Sequence, residues 1–161
     1  MNTIQTQNKS VKAFTLVELL VAVIALAVVL VGLVQVFIRC SVLAELSQNK
    51  TVAMSEAQGK LEELRNYNFD NIAADYAYGG ALNPFTLDQL NGTGVIYIDS
   101  STADILEIEI VISWENKYGR IIGEDDDLDG VLDTGSPSED DNGDGKLSSI
   151  VTLISRIAAR Y

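Results

Sequence analysis

The sequence predicts an α+β protein: one long N-terminal helix whose first half spans a membrane and whose second half covers a small antiparallel sheet. Three observations carry this. The apolar run from Phe14 to Ile38 holds a single charge, Glu18. Beyond Arg39 apolar residues keep recurring at helical spacing as far as Leu64. Later in the chain, Ile105 to Trp114 alternates apolar and polar residues with the period of two that marks a half-buried strand.

The chain has 161 residues, room for one ordinary domain with part already committed to the apolar run. Its formal net charge is −12. So acidic a chain lacks the clustered Lys and Arg that displace counterions from a phosphate backbone, and no nucleic-acid binding is expected. It suits divalent cations better. There is no histidine, which removes the commonest general base, the His-dependent nucleophile arrangements and the usual zinc ligand sets. Cys40 is the only cysteine, so no intramolecular disulfide is open to the chain. No enzymatic activity is expected.

Residues 1–13 form a polar, mildly basic leader containing Lys9 and Lys12 and no acid. The segment 14–38 follows, and its 25 residues rise roughly 37 Å as a helix, enough to cross a hydrocarbon core of about 30 Å. It is too long for the apolar region of a secretory signal, and no small-residue cleavage site follows it. Positive charge before the run and acid beyond it place the N-terminus in the cytoplasm and the remainder outside. A carboxylate as deep in the run as Glu18 is costly in lipid and calls for a partner.

Residues 39–66 continue the same helix in amphipathic form. Val42, Leu43, Leu46, Ala53, Ala57, Leu61 and Leu64 recur on one face, with Glu45, Gln48, Lys50, Glu56, Lys60, Glu62 and Glu63 between them. Residues 67–94 are rich in Asn, Gly and Tyr and read as a connecting loop with one short helical turn near Ile72–Tyr76. Residues 95–161 then build the sheet. Val95–Asp99 reads as a short strand. Ile105–Trp114 follows, with Leu106, Ile108, Ile110, Ile112 and Trp114 inward and Glu107, Glu109, Val111 and Ser113 on the other face. Asn116–Gly119 is a turn, Arg120–Ile122 starts the next strand, and Leu147–Ile157 supplies the last. An antiparallel sheet with one apolar face needs a cover, and the helix is the one available. Trp114, inward on an alternating strand, reads as core.

An acidic insertion occupies 124–145, and no Lys or Arg lies among its carboxylates. Asp125-x-Asp127-x-Asp129-Gly130-x-x-Asp133 and Asp140-x-Asn142-x-Asp144-Gly145 both place oxygen ligands at positions one, three and five with a glycine at six, the way a loop wraps Ca²⁺. Ser136 and Val151 stand at the twelfth positions, where a complete EF-hand has glutamate, so a shared or two-ion loop completed by Asp133 or Glu139 is the alternative. The expected ligands are Asp125, Asp127, Asp129, Asp133, Asp140, Asn142 and Asp144. The ion's role would be structural, with the weak affinity of extracellular modules, on the order of 10⁻⁴–10⁻³ M.

The opening of the apolar run, Phe14-Thr15-Leu16-Val17-Glu18 directly after a short leader, resembles the N-terminal signature of type IV pilins and pseudopilins. The resemblance implies a pilin-like fold and cleavage by prepilin peptidase between Ala13 and Phe14, followed by methylation of the new Phe14 amine. It implies that Glu18 pairs with the N-terminal amine of a neighbouring subunit as the helix leaves the bilayer for a filament. Ala13 departs from the glycine usual at that position. Gln35 stands where major pilins often carry proline, which points to a minor component. Gln58–Arg65, Val111–Arg120 and Ile150–Ile154 resemble minor pilins of the PilV class and the I-type pseudopilins of type II secretion.

The resemblance therefore implies a minor pilin or pseudopilin. It would be a single-pass protein of the bacterial inner membrane before it enters a periplasmic or cell-surface filament. Its partners would be other pilins or pseudopilins, the prepilin peptidase, the inner-membrane assembly platform and, before assembly, membrane lipid. The competing expectation is a membrane-anchored calcium-binding surface module that never polymerises.

Overall fold

A computed structural model describes residues 15–135 and 138–159. Ala13 and Phe14, the expected processing pair, lie outside the described residues. The described chain divides between Leu43 and Ala44 into two compact units.

The first unit is helix throughout from Leu16. Thr15 caps it: its Oγ1 accepts the Glu18 backbone N–H at 3.2 Å, and its carbonyl accepts Leu19 N–H at 3.2 Å. Thr15-x-x-Glu18 is the Ser/Thr-x-x-Glu pattern of a capping box, with the acid in the first turn where the helix dipole favours it. The apolar side chains behind the cap are exposed along the segment, from Leu16 to Ile38. Helix α1 runs Leu16–Asn66 and is long and apolar enough to cross a membrane. Cys40 is a free, exposed thiol.

In the second unit α1 buries Ala53, Ala57, Leu61 and Leu64, spaced four, four and three residues apart on one face. The helix closes with Asn66 Nδ2 donating to the Glu62 carbonyl at 2.8 Å and Tyr67 N–H donating to the Leu64 carbonyl at 3.1 Å. Leu43, expected on this face, is exposed.

The short turn expected near Ile72 is a helix of two turns, α2, Phe69–Tyr76. It starts earlier than expected because Asn68 is an N-cap whose Oδ1 accepts the Asp70 N–H at 3.1 Å. α2 buries Ile72 and Tyr76, and the Tyr76 hydroxyl donates to Glu63 on α1 at 2.6 Å.

Five strands follow: β1 Phe85–Thr86, β2 Gly92–Thr102, β3 Ile105–Glu115, β4 Ile121–Ile122 and β5 Thr152–Ala158. β3 is central. β2 pairs along one side of it, with Val95 opposite Val111 and Ile96 opposite Ile110, and β1 pairs β2. β4 pairs with Trp114–Glu115 of β3, and β5 with Ile105–Val111, all antiparallel. β2 is twice the length expected for Val95–Asp99, and the reason is its glycines. A Cβ at Gly92 would overlap Ser113 and Trp114, and one at Gly94 would overlap the Phe85 ring. These glycines permit close approach inside a strand and do not mark a loop. Past β1 the outer edge of β2 is completed by a side chain. Buried Asn83 accepts Ile96 N–H at 3.0 Å and donates to the Ile96 carbonyl at 2.7 Å and the Tyr76 carbonyl at 3.0 Å.

One face of the sheet carries Ile96, Leu106, Ile108, Ile110, Ile112 and Trp114, all buried in a single cluster with α1, α2 and Val151. The other face holds a second finding. Val95, Val111, Thr93 and Ser113 are also buried there, and so is Leu147, whose amide reaches the Tyr97 hydroxyl of β2. What covers them is the acidic insertion.

Candidate functional site

Each unit holds one candidate site. In the first, Glu18 is exposed at the start of α1, three residues into an apolar surface. Its backbone is held by Thr15, and its carboxylate lies on the outside of the helix. The geometry presents one negative charge near the start of a stretch, residues 16–38, that carries no other.

The second site is the insertion between β4 and β5. Its two ends are tied together: Glu124 N–H donates to the Ser148 carbonyl at 2.9 Å, and Ser148 N–H donates to the Glu124 carboxylate at 2.7 Å. From that base the loop is seated on the outer sheet face. Thr93 Oγ1 donates to the Leu128 carbonyl, and Gly123 and Gly130 lie where a Cβ would overlap Ser113 and Pro84 respectively. Tyr78 and Tyr97 stack with centroids 5.4 Å apart, and each hydroxyl accepts one insertion amide: Leu132 N–H at 2.7 Å and Leu147 N–H at 2.8 Å. Burial and its neighbouring charges push the Tyr97 hydroxyl up to about 12, so it stays protonated. Lys146 ends the acidic stretch by pairing with Glu109 at 2.7 Å over the Tyr97 ring.

Both acidic repeats adopt the same local turn. Asp125 Oδ2 accepts Gly130 N–H and Asp140 Oδ2 accepts Gly145 N–H, each at 3.1 Å, and the two glycines share a left-handed φ of 77° and 76°. The third- and fifth-position side chains, Asp127, Asp129, Asn142 and Asp144, each accept the amide two residues on. These bonds preform the curve that a cation-binding loop needs, because each side chain folds its own backbone.

The repeats differ in their surroundings. Asp140, Asn142 and Asp144 face solvent wholly or in part, and Asp140 Oδ1 already accepts two amides, Gly143 at 2.7 Å and Asp144 at 3.0 Å. Asp125 is 1% exposed, and its Oδ1 has no hydrogen-bond partner among the described residues. Burial raises its carboxyl to about 6, helped by the charges of Glu139, Asp127 and Asp129 and opposed by the Gly130 amide. Oxygens of Asp125, Asp127 and Glu139 all lie within 4.8 Å of one another, the one such group among the described residues. Glu139 is itself buried and tethered, accepting Asp126 N–H at 2.7 Å and Asp133 N–H at 3.0 Å.

Of the seven residues expected as ligands, the fold gathers Asp125 and Asp127, together with Glu139, one of the two residues offered as completing a shared loop. Asp129, Asp133, Asp140, Asn142 and Asp144 stand outside that group. Asp133 meets it through its backbone amide. The sequence signal for Glu139 was thin, since it lies fourteen positions after Asp125 and belongs to neither repeat. Tyr78 and Tyr97 carried no signal at all, because their contacts with the insertion join segments 54 and 50 residues apart.

A helix long and apolar enough to span a membrane, with a lone carboxylate near its start, precedes a helix-on-sheet head, and together they form a pilin-like α+β fold. Residues 8–34 match the family model described as the prokaryotic N-terminal methylation motif. No characterised protein and no solved structure matches the chain.

Proposed function

We infer that this chain is a minor pilin or pseudopilin, a structural subunit of a type IV pilus-like or type II secretion filament. The observation that carries the reading is the match of residues 8–34 to the methylation motif, with Glu18 as the only charge in the apolar segment behind it. Prepilin peptidase removes residues 1–13 on the cytoplasmic side, and the Phe14 amine is methylated. Glu18 then pairs with that amine on a neighbouring subunit. Each charge is costly alone in hydrocarbon, and together they compensate, so the pairing sets the register at which helices leave the bilayer through the assembly platform. The head remains outside the membrane and binds Ca²⁺ in its acidic insertion.

Mass spectrometry of the mature protein, from cells with an active prepilin peptidase, tests the first step. The expected species starts at a methylated Phe14. An intact Met1, or a cut after Ile38, overturns the reading. Glu18→Ala tests the second step: filament incorporation is lost while membrane insertion persists. Unchanged incorporation favours an anchored module that never polymerises.

A further inference from the structure

We propose that the cation sits in the first acidic repeat alone, held by Asp125, Asp127 and Glu139, and that it fastens the insertion onto the outer face of the sheet. This rests on the reading that the head binds calcium, and is independent of the filament reading.

The orphaned oxygen makes the case. A buried carboxylate oxygen without a donor is costly, and Asp125 Oδ1 has no partner among the described residues while its sister Oδ2 takes the Gly130 amide. The Asp125 carboxyl lies among two further carboxylates that should repel it, one of them, Glu139, also buried. A divalent cation removes both penalties at once. The spacing suits one ion: Ca²⁺ holds oxygens at about 2.3–2.6 Å, so two on opposite sides lie about 5 Å apart, and the three groups fall within that span. Hard carboxylate oxygens, with no nitrogen or sulfur among them, select Ca²⁺ over transition metals. The second repeat lacks this driving force. Its Asp140 oxygens are both supplied with amides, and its other two side chains are open to water.

Glu139 does from a distance what a twelfth-position glutamate does within an EF-hand loop. Because it also holds the Asp126 and Asp133 amides, an ion on its carboxylate pins the start and the far arm of the loop together. Between those points lie the residues that cap the outer sheet face, Leu128 on Thr93 and Gly130 on Pro84. The outward surface of the head would thus be set by calcium, while the helix–sheet core on the opposite face would not.

The test uses the full chain in detergent micelles, stripped with chelator and titrated with Ca²⁺ by calorimetry, with amide hydrogen exchange read in parallel. One ion per chain is expected. Glu139→Gln and Asp127→Asn should each weaken binding at least tenfold, and Asp144→Asn should change it less than twofold. Asp127 is exposed and Asn keeps its acceptor, so that variant reports on the ion even if Glu139→Gln disturbs folding. Ca²⁺ should slow exchange in peptides covering 126–133. No binding by the unsubstituted chain sinks the calcium reading and this inference with it. Binding that survives Asp127→Asn but is lost in Asp144→Asn places the ion in the second repeat and overturns only the inference. Binding without any slowing of exchange refutes the fastening.

Discussion

The docking of the insertion can be measured by comparing two glycines that differ in one respect. Gly130 and Gly145 hold the same position in their repeats and the same left-handed φ, near 76°. A side chain at either pays the steric cost of that conformation, about 1–2 kcal/mol. At Gly145 nothing lies within 4 Å of an added Cβ, so Gly145→Ala should cost about that and no more. At Gly130 the Cβ would overlap the Pro84 ring and come within 3.1 Å of Thr93 Cγ2. Overpacking of this kind adds about 1–3 kcal/mol, so Gly130→Ala should cost about 2–5 kcal/mol. The added cost has a ceiling, because the loop can lift off the sheet once the clash exceeds its docking free energy. Urea unfolding in chelator, followed by fluorescence of Trp114, reads the difference. Trp114 is the sole tryptophan and is fully buried beneath the sheet. With a slope of about 1–3 kcal/mol per molar urea, a 2 kcal/mol gap moves the midpoint by about 1 M. Equal midpoints for the two variants would mean that the loop gains nothing from lying on Pro84, and the account of the second layer would fall.

Leu64→Ala should destabilise the head by about 2–5 kcal/mol in the same assay, since Leu64 is wholly buried between α1 and the sheet; a loss under about 1 kcal/mol would show that the helix is not the sheet's cover. Asn83→Ala strips partners from both the amide and the carbonyl of Ile96, at about 1–3 kcal/mol for each group left buried and unpaired, and hydrogen exchange at Ile96 should rise ahead of its strand neighbours. The Glu63 carboxyl is held below the usual range, first by the Tyr76 hydroxyl and then by Lys60. A depressed carboxylate stabilises the fold above its unfolded pKa and stops doing so as pH falls through its folded one. Urea midpoints of the native head should therefore decline more on acidification from pH 6 to pH 3 than those of Tyr76→Phe; parallel declines would refute the contact.

The helix and the inner face of β3 were legible because their periods are long and uninterrupted. Ala53, Ala57, Leu61 and Leu64 mark one helical stripe, and Leu106 to Trp114 mark one strand face, with no competing local signal. What escaped depended on contacts distant in sequence. Val111 and Ser113 sit where an outward residue belongs and are nonetheless buried, because a second layer arrives from residues 123–147. Gly92 and Gly94 read as loop, since nothing in the sequence says that a Phe ring and a Trp backbone press on them. The caps Thr15 and Asn68 escaped as well, although their signal is local: each side chain accepts the amide two or three residues on. At the acidic loop the repeats announced a curve suited to a cation. Which carboxylates converge depended on Glu139 folding back, and no spacing rule encodes that.

β4 and β5 lie end to end along one edge of β3, with Ile122 opposite Trp114 and Thr152 opposite Val111. Those two partner positions are three residues apart, about 10 Å along the strand. The excursion between them thus leaves and re-enters the sheet at nearly one point, like a plug in a socket. A chain of this architecture can exchange residues 124–148 for another module while the row of hydrogen bonds on β3, including Ile112 N–H to the Val151 carbonyl, and the stripe on α1 stay as they are. Val95 and Val111 form the floor of that socket, and a replacement keeps the head soluble only if it covers both, since they are now 2% and 3% exposed.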